Sequence, residues 1–202
     1  MKLIGMLDSP YVRRTAISLR LLGVDFHHHS LSVFSTYNEF KGINPVVKAP
    51  TLVLDDGTVL MDSTLIIDYV EHAAGRSLMS VVQDRRARET GLLGLALAAC
   101  EKTVQIVYER KQRPAEKQHE PWMARVREQL AAAYGELETA WKAQALATDA
   151  RSLMQAEVTT AVAWRFTQLV TPDVISETDY PRLAELSRQA EAFPEFKAFP
   201  PV

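Results

Sequence analysis

The sequence predicts two folded parts, an α/β domain over residues 1–77 and an all-helical domain over residues 84–202. Three observations carry this. Short apolar runs alternate with helically spaced ones in the first part, and only helical periodicity appears in the second. Between them Gly75-Arg76-Ser77-Leu78-Met79-Ser80 breaks the pattern and reads as a linker.

The elements follow in chain order. Leu3-Ile4-Gly5-Met6-Leu7 reads as a strand. Val12, Ala16 and Leu19, with Ile17 and Leu21 beside them, then recur at helical spacing through residues 11–22. Asp8 and Ser9 between them are small, polar capping residues, and Pro10 suits the first helical position. A strand that turns directly into a helix aims N–H groups and a positive dipole end at whatever sits there. Ser9 is therefore either a plain N-cap or a hydroxyl able to donate to a bound anion or thiolate. Gly23 ends the helix, and a second strand runs through His27-His28-His29. Strand neighbours point to opposite faces, so only His27 and His29 share a side; with no Cys or Glu at ligand spacing, no metal site is expected.

Residues 35–40 predict a short helix, Gly42-Ile43-Asn44-Pro45 a turn, and a third strand begins at or after Pro50. Asp55-Asp56-Gly57-Thr58 is a hairpin turn into Val59-Leu60-Met61. Asp62-Ser63 then caps a helix with Leu65, Ile66, Tyr69, Val70 and Ala73 on its apolar side and Gly75 beyond its end. A helix joining the first two strands makes them parallel, and the closing hairpin is antiparallel. The order β-α-β-α-β-β-α is that of a thioredoxin-like domain.

In the second part, residues 84–113 form a long helix with two adjacent stripes, Leu92, Ala96, Ala99, Thr103, Ile106 and Arg110 beside Leu93, Leu97, Cys100, Val104 and Val107. So wide a face implies burial or a partner, and Gly91 and Gly94 suit a close crossing with a helix of this or another chain. Arg113-Pro114 ends this helix and Glu120-Pro121 starts the next, where Met123, Val126, Leu130, Tyr134, Leu137 and Trp141 recur at spacings of three and four. A third helix over residues 156–170 carries Val158, Val162, Phe166 and Leu169; a shorter one after Tyr180-Pro181 carries Leu183, Leu186 and Ala190. The chain from Phe193 onward reads as an irregular tail, and Trp122, Trp141 and Trp164 as packing aromatics.

Composition excludes several classes. At 47% apolar residues the chain has ample material for buried cores, and a net charge of −2 gives no general attraction to nucleic acid or anionic membrane. Cys100 is the only cysteine, which rules out an intramolecular disulfide and fits a reducing cytosol. The N-terminal apolar run is too short for a signal peptide, and no uninterrupted apolar stretch reaches membrane-spanning length. A soluble cytoplasmic protein is expected.

Taken together and in order, Ser9-Pro10, Asn44-Pro45, Lys48-Ala49-Pro50-Thr51-Leu52 and Asp62-Ser63 resemble the N-terminal domain of the glutathione S-transferases. The start is similar to the Ser-Pro-x-Val-Arg of small bacterial members, and the helical remainder fits that architecture. The resemblance implies that Ser9 is catalytic, its hydroxyl bonding the glutathione sulfur and favouring the thiolate. It implies a cis Pro50, with the backbone of Ala49 pairing with the cysteinyl part of glutathione. Asp62 and Ser63 would hold the γ-glutamyl end, and Lys48 the glycyl carboxylate. The expected activity is attack of glutathione, a co-substrate, on a small electrophile in detoxification, with no cofactor and a homodimer formed through the long helices. Tyr108 and Arg110 are candidates for the electrophile pocket; their plainer readings are core packing for Tyr108 and a surface or intersubunit charge for Arg110. Cys100 is a weaker candidate for the same pocket, its plainer reading being a small buried hydrophobe. With Ser rather than Cys at position 9, mixed-disulfide reductase chemistry is disfavoured. The competing class is a non-catalytic member of the same fold that binds a macromolecular partner or an apolar ligand. One stretch departs from the family: its members begin the third helix of the helical domain with Ser or Thr three residues before Asp, where this chain has Met154-Gln155-Ala156-Glu157. Glu157 can still reach back to a backbone N–H, and either Ser152 assists the cap or the helix start is weak.

Overall fold

The computed structural model describes residues 1–201. They fall into two compact units, one made of residues 1–78, 149–153 and the chain from Ala192, the other of residues 79–148 and 154–191.

The first unit is built on a four-stranded sheet in the order β2-β1-β3-β4, from β1 (Lys2–Ile4), β2 (His27–His29), β3 (Thr51–Val53) and β4 (Val59–Met61). β1 and β2 are parallel, with Leu3 opposite His28; β3 is antiparallel to both its neighbours, with Leu52 opposite Leu3 and Leu60. Helices α1 (Pro10–Leu21), α2 (Tyr37–Ile43) and α3 (Ser63–Ala74) complete the predicted β-α-β-α-β-β-α order of a thioredoxin-like domain. Leu3, Ile4 and Leu52 of the sheet are buried, as are Val12, Ala16 and Leu19 of α1.

Several boundaries differ from the sequence expectation, each for a local reason. β1 stops at Ile4, not Leu7, because Gly5 turns the chain at φ 136°, a conformation that disfavours any side chain. A Cβ there would lie 2.6 Å from Val12 Cγ2 and 3.2 Å from the Ala49 Cβ. α2 takes in Gly42 and Ile43, so the expected turn begins only at Asn44. α3 buries Ser63, Ile66, Ile67 and Val70, while Leu65, Tyr69 and Ala73 are exposed, so its apolar face is turned from the predicted one. α1 ends as its Gly23 predicts: Gly23 N–H donates to Arg20 C=O at 3.1 Å and Val24 N–H to Leu19 C=O at 3.0 Å.

The second unit is helical: α4 (Gln83–Gln112), α5 (Glu120–Lys142), α6 (Gln155–Val170) and α7 (Pro181–Glu191). α4 packs on α5 and α6, and α6 packs on α7. The first predicted stripe of α4 is buried from Leu92 to Ile106, and Leu93, Leu97, Val104 and Val107 of the second are half-buried. Nothing lies within 4 Å of a Cβ placed at Gly91 or Gly94, so neither serves a close crossing within this chain. Among the described residues α4 is the one helix long and apolar enough to cross a membrane, although Glu101 and Lys102 interrupt it and it packs on α5 and α6. All six predicted core positions of α5 are buried, and so is Trp164, whereas Trp122 is 41% exposed and Leu169 of α6 is 46% exposed.

Buried polar groups in this unit join the helices. Glu138 of α5 accepts from the N–H groups of Arg182 (3.1 Å) and Leu183 (3.0 Å), capping α7 with a carboxylate. The start of α6 corrects the expectation there. Met154 offers no side-chain cap, and Glu157 accepts instead from the Ala147 N–H at 2.8 Å. The Ser152 hydroxyl donates to the Asp149 carbonyl at 2.8 Å.

The tail is also ordered differently than expected. Pro194–Lys197 forms a short helix, α8, and the segment belongs to the first unit and not with the helical one. Phe196 is fully buried with the Arg13 guanidinium 5.7 Å over its ring, Arg13 Nε donates to the Phe199 carbonyl at 2.8 Å, and Phe199 stacks on Phe26.

Candidate functional site

Three loop-to-helix or loop-to-strand junctions of the first unit carry the predicted site. At the start of α1, Ser9 is extended and its Oγ accepts the Val12 N–H at 3.4 Å, while Pro10 occupies the first turn. Ser9 is thus an N-cap. Capping uses a lone pair of the hydroxyl oxygen and leaves its proton available for donation.

The loop before β3 is pinned by its own side chains. Asn44 Nδ2 donates to Thr51 Oγ1 at 2.8 Å, Asn44 Oδ1 accepts the Val46 N–H at 3.0 Å, and Thr51 Oγ1 donates to the Lys48 carbonyl at 2.7 Å. The Ala49–Pro50 peptide bond is cis. The side chain of Ala49 lies beside Gly5, which fixes the loop against the end of β1.

At the start of α3, Asp62 adopts φ 75°, and its Oδ1 accepts the Thr64 N–H at 2.9 Å. Its Oδ2 lies 3.8 Å from Lys48 Nζ, both side chains being about half exposed. Ser63 is buried, and its Oγ accepts a hydrogen bond from Arg14 Nη1 at 2.9 Å; the same nitrogen donates to Thr64 Oγ1 at 3.2 Å.

The structure therefore brings Lys48 to Asp62 and Ser63, sets Ala49 and Pro50 in the same pinned loop, and puts Ser9 at the head of the helix that carries Arg14. Arg14, and Arg13 apart from its place in the Ser-Pro-x-Val-Arg start, are the residues to which the sequence assigned no role. Each is 1% exposed. The available signal was two adjacent arginines within the helix that follows Ser9-Pro10, but charged side chains are ordinarily read as solvated.

Tyr108 and Arg110 belong to the second unit. Tyr108 is 44% exposed on α4, which excludes the core-packing alternative. Arg110 forms a two-pronged ion pair with Asp173, at 3.0 and 2.7 Å. The hydrogen bond from Arg110 holds the Asp173 carboxyl below its ordinary range, and the same bond raises the guanidinium of Arg110. Cys100 is fully buried. Among the described residues, no group of three or more His, Cys, Asp or Glu could hold a metal ion. His28 Nε2 lies 2.7 Å from the Gly5 carbonyl, and His29 lies 3.6 Å from Glu39.

Chemically the first unit offers a hydroxyl at one helix start, a carboxylate with a neighbouring ammonium at another, and serine and threonine hydroxyls beside them. Residues 3–78 match the family model for the glutathione S-transferase N-terminal domain. The uncharacterized GST-like protein YibF of Escherichia coli is 30% identical over 193 residues, covering 92% of this chain and 91% of that one. Among solved structures, a glutathione transferase family member from Pseudomonas fluorescens Pf-5 with bound glutathione superposes with a TM-score of 0.83 at 27% identity, over 100% of this chain and 98% of the other. A glutathione S-transferase from Methylobacterium radiotolerans in complex with glutathione sulfonate gives a TM-score of 0.89 at 22% identity, over 98% of this chain and 93% of the other.

Proposed function

This chain belongs to the glutathione S-transferase family, and we propose that it is a cytoplasmic transferase that joins glutathione, its co-substrate, to a small electrophile. The glutathione thiol gives its proton to solvent. The thiolate then forms a carbon–sulfur bond, and the leaving group departs with its bonding pair. Ser9 favours the thiolate by donating its hydroxyl proton to the sulfur while its oxygen keeps the Val12 N–H. The protein's remaining contribution is to hold the sulfur in place.

Glutathione is held along the three junctions. The backbone N–H and C=O of Ala49, ahead of the cis bond to Pro50, pair with the cysteinyl unit as an added strand does. Asp62 receives the γ-glutamyl ammonium, and Ser63 at the helix start receives its carboxylate. Lys48 turns to the glycyl carboxylate; its 3.8 Å, half-exposed contact with Asp62 is loose enough to be exchanged for a ligand. The single observation that carries the reading is this juxtaposition at α3, an acceptor carboxylate beside serine and threonine hydroxyls, which suits an amino-acid end bearing both charges. Tyr108 and Arg110 of the second unit serve the electrophile, and the working form is a homodimer.

Calorimetry with glutathione on the protein and its Ser9→Ala and Asp62→Ala variants, with an electrophile panel on the same samples, tests this. Ser9→Ala should keep binding and lose turnover by about tenfold or more. Asp62→Ala should weaken binding itself. Binding without turnover in the unaltered protein favours a non-catalytic role, toward a macromolecular partner or an apolar ligand.

A further inference from the structure

We propose that Arg14 is a positioning residue that makes the start of α3 selective for a carboxylate, by biasing the Ser63 and Thr64 hydroxyls to act as donors toward the ligand. The inference rests on the reading that glutathione binds there with its γ-glutamyl carboxylate.

The argument begins from the chemistry of the guanidinium. Arginine has five N–H donors and no acceptor. Where Arg14 Nη1 meets Ser63 Oγ at 2.9 Å and Thr64 Oγ1 at 3.2 Å, both oxygens can only accept. Each hydroxyl's single proton is thereby left for another group. A serine hydroxyl without such a neighbour can rotate and accept from a ligand as readily as it donates. Here the guanidinium occupies one of the two lone pairs of each oxygen and turns the proton away from itself, which biases the hydroxyl toward donation. The Thr64 N–H is taken by the Asp62 carboxylate, but the Ser63 N–H at the helix start is a donor as well, so it and the two hydroxyls present protons together. An anion is matched by this arrangement; an amide or a hydroxyl is matched less well.

Burial protects the Ser63 half of this arrangement, while Thr64 is exposed. Arg14 is 1% exposed and Ser63 is 4% exposed, so solvent does not compete for the bond between them. The guanidinium extends from α1, the helix that begins at Ser9, to the start of α3. A lysine would keep a cation at this place but not the planar fork, and the two hydroxyls would no longer be held by one rigid nitrogen.

The test compares glutathione with 4-aminobutanoyl-cysteinyl-glycine, which lacks only the γ-glutamyl α-carboxylate, by calorimetry. Arg14→Gln is the direct variant. Arg14→Lys keeps a buried cation and decides the matter where the glutamine variant does not fold. Arg14→Lys should bind glutathione about tenfold more weakly, the loss of one charge-assisted hydrogen bond, and bind the analogue within about twofold of the unaltered protein. In a Ser63→Ala/Thr64→Val background, Arg14→Lys should produce little further loss for glutathione, because both hydroxyls it orients are gone. Equal losses for the two ligands would assign Arg14 a purely structural role and overturn the proposal. Unchanged glutathione binding in Arg14→Lys would overturn it too. Failure of the unaltered protein to bind glutathione is a separate result, which removes the transferase reading and this inference with it.

Discussion

Lys48 Nζ and Asp62 Oδ2 stand 3.8 Å apart at the start of α3, while the other oxygen of the same carboxylate holds the Thr64 N–H at 2.9 Å. Asp62 therefore has two tasks, capping and charge, and they can be separated. Alanine would lose the cap, whereas asparagine, isosteric with aspartate, keeps the same backbone demand at φ 75° and an oxygen for Thr64. Asp62→Asn should leave the urea midpoint nearly unchanged and weaken glutathione binding about tenfold, as expected for one charged hydrogen bond removed from a ligand ammonium. Calorimetry beside an unfolding curve checks both halves.

The second unit is tied by a chain of hydroxyls whose direction can be deduced. Tyr134 Oη donates to the Ala163 carbonyl at 3.0 Å, so it accepts from Thr167 at 2.6 Å, and Thr167 in turn accepts from Thr103 at 2.7 Å. All three side chains are fully buried. Thr167→Val breaks the chain in the middle and leaves a donor and an acceptor unmatched, for a loss of about 2 kcal/mol. Thr103→Val, at the donor end, should cost less. Urea unfolding of both variants and of the double variant measures the coupling.

The tail offers a third test. Phe196 is fully buried between its own short helix and Arg13, and Phe199 holds the Arg13 Nε through its carbonyl. Phe196→Ala should destabilise the protein by about 3 kcal/mol or more, the range for a buried phenylalanine truncated to alanine. An unaffected unfolding midpoint would mean that the tail contributes nothing to the first unit.

These residues also show what could be read from the chain. Ser9, Pro10, Asp62, Gly23 and Gly75 signal helix ends through short-range chemistry, so both helices of the candidate site were placed to within about one residue, better than the usual reading of boundaries. The features that escaped are those with distant partners. Arg13 and Arg14 are buried because Phe199, Ser63 and Thr64 wait for them, and no local pattern announces that. Phe196 sits in a proline-flanked stretch too short for periodicity. On α3 the contiguous Leu65-Ile66-Ile67 leaves the buried face undetermined by one residue, and packing chose Ile66 and Ile67. Family motifs located the candidate ligand-binding residues but could not reveal the arginine behind them.

Glu157 stands where the family has an aspartate, and it has been diverted from its own helix start to the Ala147 N–H at 2.8 Å. Burial raises its carboxyl above the ordinary 4.5, against lowering by that hydrogen bond and by Arg182. A carboxyl whose folded-state pKa is raised favours the folded state when protonated. Its contribution is fully present below the ordinary pKa and is lost as pH rises through the folded-state value. At neutral pH the charged form is thus a burden. Glutamine removes the charge and retains an oxygen for Ala147. Glu157→Gln should raise the urea midpoint near pH 7.5, and the advantage over the unaltered protein should shrink as the pH falls through the folded-state pKa and vanish below the ordinary carboxyl pKa. A variant that is less stable at pH 7.5, or whose advantage grows in acid, would mean that the charged carboxylate holds the α5–α6 connection more strongly than burial opposes it.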